Sequence, residues 1–394
     1  MRLLIYTHEF PPFLGGLATT SYKLAKGLSE SGLKLCVLAP GYSRKDKDID
    51  KTLKNCKVTR IPFLGKTWVR KIPFLQYLIG FLFLSKTILR YRPETVLFIT
   101  EEAEVVGGLF PFFNFKPIVR VAGSGITTCF LDNKINKMLL RFPIRRLYRK
   151  AHRIVAVSNY TKELLRSINI PEEKITVIYN GVENQMLYKE PDPKNIESIK
   201  RELGIKESEK ILLTVARVLP RKGQDMVIKA LPKVVKRFPD LKYVIAGEGR
   251  YIKKFKKLAE ENGVGEHVVF TGGIPHERTI DFYDMCDVFI MPNRFWNNKV
   301  EGLPNAILEG SARGKPIIAG AHGGSKEAVK HGITGYLVNP ENTDEIANTI
   351  VELLGDEKKA KQMGQNGRLM VKSMFTEECM IKNFIRLLKE DQTP

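Results

Sequence analysis

Residues 211–231 read ILLTVARVLPRKGQDMVIKAL. An apolar, partly β-branched run, ILLTV, gives way to a loop carrying Arg217, Pro220, Arg221, Lys222 and Gly223. Apolar residues at helical spacing follow, and then a second apolar run, KYVIAGEG at 242–249. Strand, helix and strand at this rhythm predict a parallel β-α-β unit. In open parallel sheets ligands bind outside the carboxyl ends of the strands. The residues just after each strand are therefore the ones to inspect.

The same rhythm extends in both directions. Downstream lie HVVFTGG (267–273), DVFIMPN (287–293), KPIIAG (315–320) and GYLVNP (335–340). Upstream lie RLLIYT (2–7), a helical TTSYKLAKGLSESG (19–32), KLCVLAP (34–40), TVLFIT (95–100), PIVRVAG (117–123), RIVAVS (153–158) and ITVIYNG (175–181). Between the halves, EPDPKNIESIKRELGIKESEK (190–210) turns polar and Pro-punctuated. A chain of 394 residues exceeds one ordinary core. The fold class expected is α/β with two doubly wound domains. Residues 1–185 form the first domain, 186–208 a linker and 209–375 the second domain, with chemistry in a cleft between them.

The formal net charge is +21, and it is uneven. Residues 1–185 hold 30 Lys/Arg against 14 Asp/Glu, leaving the remainder nearly balanced. Such a bias points to an anionic partner. No RNA- or DNA-binding motif accompanies it, so no nucleic acid is expected. The five cysteines are scattered without a C-x-x-C pair, which disfavours a zinc site or disulfide framework and suggests a reducing, cytoplasmic setting. MRLLIYTHEFPP opens like a signal peptide, but its apolar run has only strand length, and it reads as a buried strand.

Three strand-end stretches carry chemistry. In FPPFLGGLATT, Gly15 and Gly16 precede a helix start, where backbone N–H groups can meet a phosphate; a tight turn without ligand is the plainer reading. In the opening stretch, Arg217 and Lys222 can clamp a diphosphate, Arg by its fork and Lys as a point charge, whereas Arg221 reads as a solvated loop charge. In VEGLPNAILEGSARGKPIIA (300–319), Pro304 suits the first turn of a helix through NAILEGSA. Glu301 then sits at the helix's positive end and Glu309 more than a turn inside it, where the two carboxylates could accept from hydroxyls of two rings; a capping charge and a solvated helix residue are the equally plain reading.

Together these stretches resemble the retaining glycosyltransferases of the GT-B fold, family 4. The resemblance runs from FPPFLGG through HRIVAVSNYTKE, VIYNGVE, VARVLPRKG, YVIAGEG, EGLPNAILEG and GGSKEAVKHGITGYLV, nearly the whole chain. It implies two Rossmann-like domains and a C-terminal helix, 376–394, packing back on the first. It also implies a nucleotide-sugar donor, UDP- or GDP-linked, with Glu301 gripping donor-sugar hydroxyls and Glu309 binding the ribose. Arg217 and Lys222 would bind the diphosphate. Backbone groups of Gly302, Leu303, Asn305 and Ala306 would face the diphosphate and sugar, Gly15 and Gly16 would close over them, and the turn at Ile274 would hold the base. Front-face displacement would need no cofactor and no metal, and no Asp-x-Asp motif is present.

Two features depart from or add to that pattern. Many family members carry a histidine where VRVAGSGI places Ala122. His8, Gly123 and Ser124 are the acceptor-side candidates, although a structural hydrogen bond is the plainer role for His8. NRFWNNKVEG puts aromatics ahead of Glu301 and could shape the sugar pocket.

GKTWVRKIPFLQYLIGFLFLSKTILRYR and RFPIRRLYRKAHR, both in the acceptor-side half, combine apolar and basic residues. The expectation is a mainly buried helix whose basic ends touch anionic lipid, and a peripheral enzyme on the inner face of the plasma membrane. The acceptor would be a glycan or lipid-linked hydroxyl in polysaccharide or cell-surface glycan synthesis. The competing functions are a catalytically inactive partner protein and a nucleotide-sugar epimerase of the same fold.

Overall fold

The structure, a computed structural model, describes residues 1–13, 15–44, 46–72, 74–111, 114–130 and 135–390. The chain divides into two compact units: residues from Met1 to Gly181 together with the chain from Glu377, and Val182–Thr376.

The first unit is built on β1 (Arg2–Tyr6), β2 (Lys34–Pro40), β3 (Cys56–Ile61), β4 (Thr95–Phe98), β5 (Lys116–Val121), β6 (Arg153–Ala156) and β7 (Ile175–Val177). The strands pair in parallel in the order β3-β2-β1-β4-β5-β6-β7. Successive side chains of a strand point to opposite faces. Leu4 and Tyr6 accordingly enter one core with Val96, Phe98 and Leu147, while Leu3 and Ile5 enter another with Leu24, Leu28 and Phe384. Phe384 comes from the C-terminal helix Glu377–Glu390, which returns to pack against Gly16–Glu30. Its Ile381 fills the space over Gly27, where a Cβ would collide with it.

The helix Glu101–Leu109 buries a carboxyl group. Glu104 accepts a hydrogen bond from the Tyr148 hydroxyl at 2.7 Å. Burial, with Glu101 and Glu102 adding, pushes its pKa up to about 8 against the opposing pull of that bond. A raised carboxyl pKa means the folded state holds the proton that the unfolded chain releases. The contribution is complete below the ordinary value near 4.5 and is lost as pH rises towards 8. Glu104→Gln, which stays neutral, should remove about 2–4 kcal/mol of the stability difference between pH 5.5 and pH 8. Denaturant melts at both pH values check this, and an unchanged pH dependence in the variant would count against it.

The apolar stretch near residue 80 departs from expectation. It forms two helices, Thr67–Lys71 and Leu75–Tyr91, and only Gly80 and Leu84 of the longer one are buried. Leu78, Leu82 and Leu89 are each more than half exposed. Tyr77, Ile79, Phe81, Phe83 and Ile88 are only partly buried against the core and the opposite side faces solvent, so a mainly buried helix is not what forms. Ile135–Lys150 is less solvated than its charge suggests: Arg141 donates to the Cys129 carbonyl at 2.6 Å and Arg146 to the Gly108 carbonyl at 2.6 Å. No described helix is long and apolar enough to cross a membrane.

The second unit holds β8 (Lys210–Val215), β9 (Leu241–Ala246), β10 (Val268–Gly272), β11 (Val288–Met291), β12 (Ile317–Gly320) and β13 (Gly335–Val338). They pair in parallel in the order β10-β9-β8-β11-β12-β13. The chain lays β9 and β10 on one side of β8, then crosses to lay β11, β12 and β13 on the other. The strand order therefore reverses between β8 and β11, and a crevice opens at their carboxyl ends. Residues 186–208, expected as a linker, carry most of the helix Asn184–Tyr188 and the whole helix Pro193–Glu202, both within this unit. Asp192 caps the second, accepting from the backbone of Lys194 at 3.0 Å, and Asn195 donates to Asp281 at 3.3 Å. Polar composition here reflects an outer helix rather than a free connector.

Candidate functional site

The loops after β8 and β11 flank the reversal point of the second sheet. After β8 the chain runs exposed through Arg217, whose carbonyl accepts from the buried Gln224 side chain at 3.1 Å. It then makes a short 3-10 turn, Pro220–Lys222, closed by Gly223 at φ 81°. A side chain at Gly223 would be strained at that φ and would also overlap the Pro292 carbonyl after β11. The two loops thus touch backbone to backbone. Arg294 strengthens the seam: its guanidinium donates to Asp225 at 2.7 Å and lies 3.2 Å from Glu341.

This seam brings Glu301 onto two cations. Lys222 Nζ lies 3.0 Å and Arg221 Nε 3.2 Å from Glu301 Oε1. The Arg221 contact is an ion pair without the alignment of a hydrogen bond. Burial alone would raise the Glu301 pKa, but Lys222 and then Arg221 overcome it and hold the carboxyl down to about 2. Burial pulls the Lys222 ammonium pKa down, Glu301 pushes it back up, and Arg221 and Arg217 lower it further. Arg221 was expected to be a solvated loop charge. The 3-10 turn instead folds it inward beside Lys222, with about a tenth of its side chain exposed. Arg217 is the exposed member, and its charge still reaches both Lys222 and Glu301.

Beyond Glu301 the chain enters the helix Asn305–Ala312. Pro304 is its cap rather than its first helical residue, at φ −80° and ψ 105°, with no side-chain capping bond. First-turn N–H groups of a helix have no intrahelical acceptor. Gly302 and Leu303 lead into that end, and Asn305 and Ala306 begin the helix. Glu309, its fifth residue, takes a hydrogen bond from the Tyr283 hydroxyl at 2.9 Å, which fixes one carboxylate oxygen. Burial, with Glu309 adding, drives the Tyr283 pKa well up, so this phenol stays a donor.

The Glu301–Leu303 loop rests on Gly323 and Gly324, which follow β12. Gly324 N–H donates to the Glu301 carbonyl at 3.0 Å, and a Cβ at Gly324 would overlap the Gly302 carbonyl. Ahead of the loop, Trp296 and Lys299 exchange two backbone hydrogen bonds of 3.0 Å across Asn297 and Asn298, both left-handed. That two-residue hairpin stands Trp296 edge-on to Tyr251 at 5.8 Å. Ile274 lies, half-buried, in the turn after β10.

Arg217, Lys222 and Glu301 meet at this seam, and Gly302, Leu303, Asn305, Ala306 and Glu309 follow in the same unit. Tyr283, Arg221, Arg294 and the Gly323–Gly324 pair were not foreseen. The adjacent glycines were a signal; Tyr283 gives none without the fold. Gly15, Gly16, His8, Gly123 and Ser124 belong to the other unit. Gly15 caps the helix Gly16–Glu30 with no side-chain bond. His8 is buried, its Nε2 2.6 Å from the Tyr6 hydroxyl and its N–H donating to Thr100 Oγ1 at 3.0 Å. That geometry suits the structural hydrogen bond named as the plainer role. Gly123, at φ 92°, is buried before the helix Ser124–Phe130. The Ser124 side chain lies outside the described residues.

The chain matches known proteins over nearly its whole length. The family model described as Glycosyltransferase Family 4 matches residues 14–185, and that described as Glycosyl transferases group 1 matches 195–370. A GDP-mannose-dependent alpha-(1-6)-phosphatidylinositol monomannoside mannosyltransferase of Mycolicibacterium smegmatis is 31% identical, over 93% of this chain and 92% of that protein. An uncharacterized glycosyltransferase of Methanocaldococcus jannaschii is 26% identical over 99% and 98%. Among solved structures, HepE of Anabaena in complex with UDP and glucose superposes with a TM-score of 0.81 at 20% identity, covering 99% of this chain and 100% of that one. WaaG, a glycosyltransferase of lipopolysaccharide biosynthesis, superposes at 0.73 with 16% identity, covering 97% and 98%. Both have the GT-B fold. The chain belongs to the family 4 glycosyltransferases of that fold.

Proposed function

We propose that this glycosyltransferase moves a sugar from a nucleoside-diphosphate donor to a hydroxyl of a glycan or lipid-linked acceptor, with retention and without a divalent metal. The observation that carries the reading is the Glu301–Lys222–Arg221 cluster at the sheet's reversal point. Lys222 and Arg217, with Arg221 beside them, take the diphosphate. Glu301 turns from its cations to donor-sugar hydroxyls, and Glu309, steadied by Tyr283, accepts from the ribose. First-turn N–H groups near Asn305 and Ala306 face the phosphates. Gly15 and Gly16 offer a second helix start, and the turn at Ile274 holds the base.

In the reaction the anomeric carbon–oxygen bond to the diphosphate breaks and a bond to the acceptor oxygen forms on the same face. The acceptor's proton passes to the departing phosphate. Charge grows on that phosphate, and preorganised cations stabilise it where other enzymes use a metal ion. The mycobacterial relative's GDP-mannose and the UDP of HepE make GDP- and UDP-sugars the donors to try first. That relative's phosphatidylinositol monomannoside acceptor favours an anionic, lipid-linked acceptor and peripheral work at a cytoplasmic membrane face.

A thermal-shift screen of UDP-, GDP- and ADP-sugars tests the reading. One donor should raise the melting temperature by several degrees, and turnover with it should survive EDTA. No shift with any sugar nucleotide, or complete loss on chelation restored by magnesium or manganese, would count against it.

A further inference from the structure

The helix Leu75–Tyr91 in the first unit presents Leu78, Leu82 and Leu89 to solvent, at 56%, 58% and 76% exposure. On a helix of 3.6 residues per turn these positions fall within about 40° of one another, so they form one stripe. Lys86 and Arg90 stand beside its C-terminal end, both exposed. At the other end come three aromatics: Phe74 at the N-cap, Trp68 on the short helix Thr67–Lys71 that packs against this one, and Phe63 against Trp68 at 6.4 Å. All three rings are at least half exposed.

Phe63 and Phe74 are moreover left-handed, at φ 67° and φ 62°. A bulky residue there is strained, and glycine or asparagine would relieve it. Strain that holds an aromatic ring out in water serves neither the core nor the backbone.

Charge selects the occupant. Residues 62–93 contain six Lys/Arg and no Asp or Glu. A second copy of the chain would set these cations against their own kind, and a neutral apolar partner would leave them unmatched. An anionic bilayer satisfies both parts of the face, with apolar side chains below the headgroups and Lys/Arg at their level.

We propose that Leu78, Leu82, Leu89 and Trp68 insert into an anionic lipid leaflet, so that attachment is hydrophobic as well as electrostatic. This deepens the lipid-linked acceptor reading and rests on it for its purpose. Vesicle binding is measured without sugar nucleotide, so its failure is separable from failure of the donor site.

The chain has two tryptophans, and Trp296→Phe leaves Trp68 as the sole reporter. With vesicles of equal phosphatidylcholine and phosphatidylglycerol, Trp68 emission should shift blue, and brominated acyl chains should quench it. Phosphatidylcholine vesicles alone should give little of either. Leu78→Ser/Leu82→Ser/Leu89→Ser, all on exposed positions, should keep the melting temperature but raise the lipid needed for half-binding about 10- to 100-fold. Lys86→Glu/Arg90→Glu, with the stripe intact, should weaken binding mainly at low salt. Sedimentation with anionic vesicles without quenching of Trp68 would overturn insertion. No binding to anionic vesicles would overturn the membrane and leave an acidic protein as the occupant.

Discussion

Replacing Lys222 by alanine is expected to lower kcat/KM for glycosyl transfer by about 10³-fold, the scale of losing a charge-stabilising group at a developing anion. The ammonium lies 3.0 Å from Glu301 and is the first cation holding that carboxyl down to about 2. In the variant Arg221 remains at the carboxylate, so the chain should still fold, losing about 1–3 kcal/mol rather than the full cost of stranding a buried charge. The Glu301 pKa should rise. Its contribution to stability, present above the ordinary value near 4.5 and lost as pH falls towards 2 in the wild type, should then fade at higher pH. Steady-state kinetics beside acid melts separate the two effects. Wild-type turnover from a folded Lys222→Ala protein would sink the assignment.

Gly324→Ala should also be damaging, although it removes no functional group. Its backbone, at φ −73°, accepts alanine without strain. The added methyl, however, overlaps the carbonyl of Gly302. The loop carrying Glu301 must therefore move. Overpacking of this kind costs about 1–3 kcal/mol, and a displacement of about 1 Å at a catalytic loop about 100-fold in kcat/KM. Gly332→Ala is the contrasting case: Gly332 sits at φ 75° with nothing near its would-be Cβ. There the cost is backbone strain alone, about 1 kcal/mol, and turnover should not change. Equal effects from the two substitutions would remove the support role assigned to Gly324.

The parallel architecture was legible because both faces of each sheet are covered, and ILLTV or VFIM then reads as an unbroken apolar run. The helix at NAILEGSA and the placement of Glu309 inside it followed from local spacing. What sequence could not supply was strand order. Nothing in residues 211–231 says that β11, not β9 alone, lies beside β8, yet that neighbour puts Glu301 on Lys222. Arg221 was misread for a related reason: a loop charge is solvated by default, and only the turn closed by Gly223 directs it inward. Tyr283 reaches Glu309 across separate elements and leaves no local trace. The helix Leu75–Tyr91 was misjudged because hydropathy reports composition, not cover. Leu84 finds the core and Leu82, two residues away, does not.

Calorimetric titration of the donor selected by the thermal-shift screen, in EDTA, is the decisive measurement of the donor site. Wild-type protein, Lys222→Ala and Glu309→Ala would be compared, the last chosen because Glu309 stands half-buried and accepts from Tyr283. Saturable binding to the wild type without metal is expected, weakened at least about tenfold in each variant, as loss of one charged contact requires. Wild-type affinity in both folded variants would contradict a donor site built on Lys222, Glu301 and Glu309.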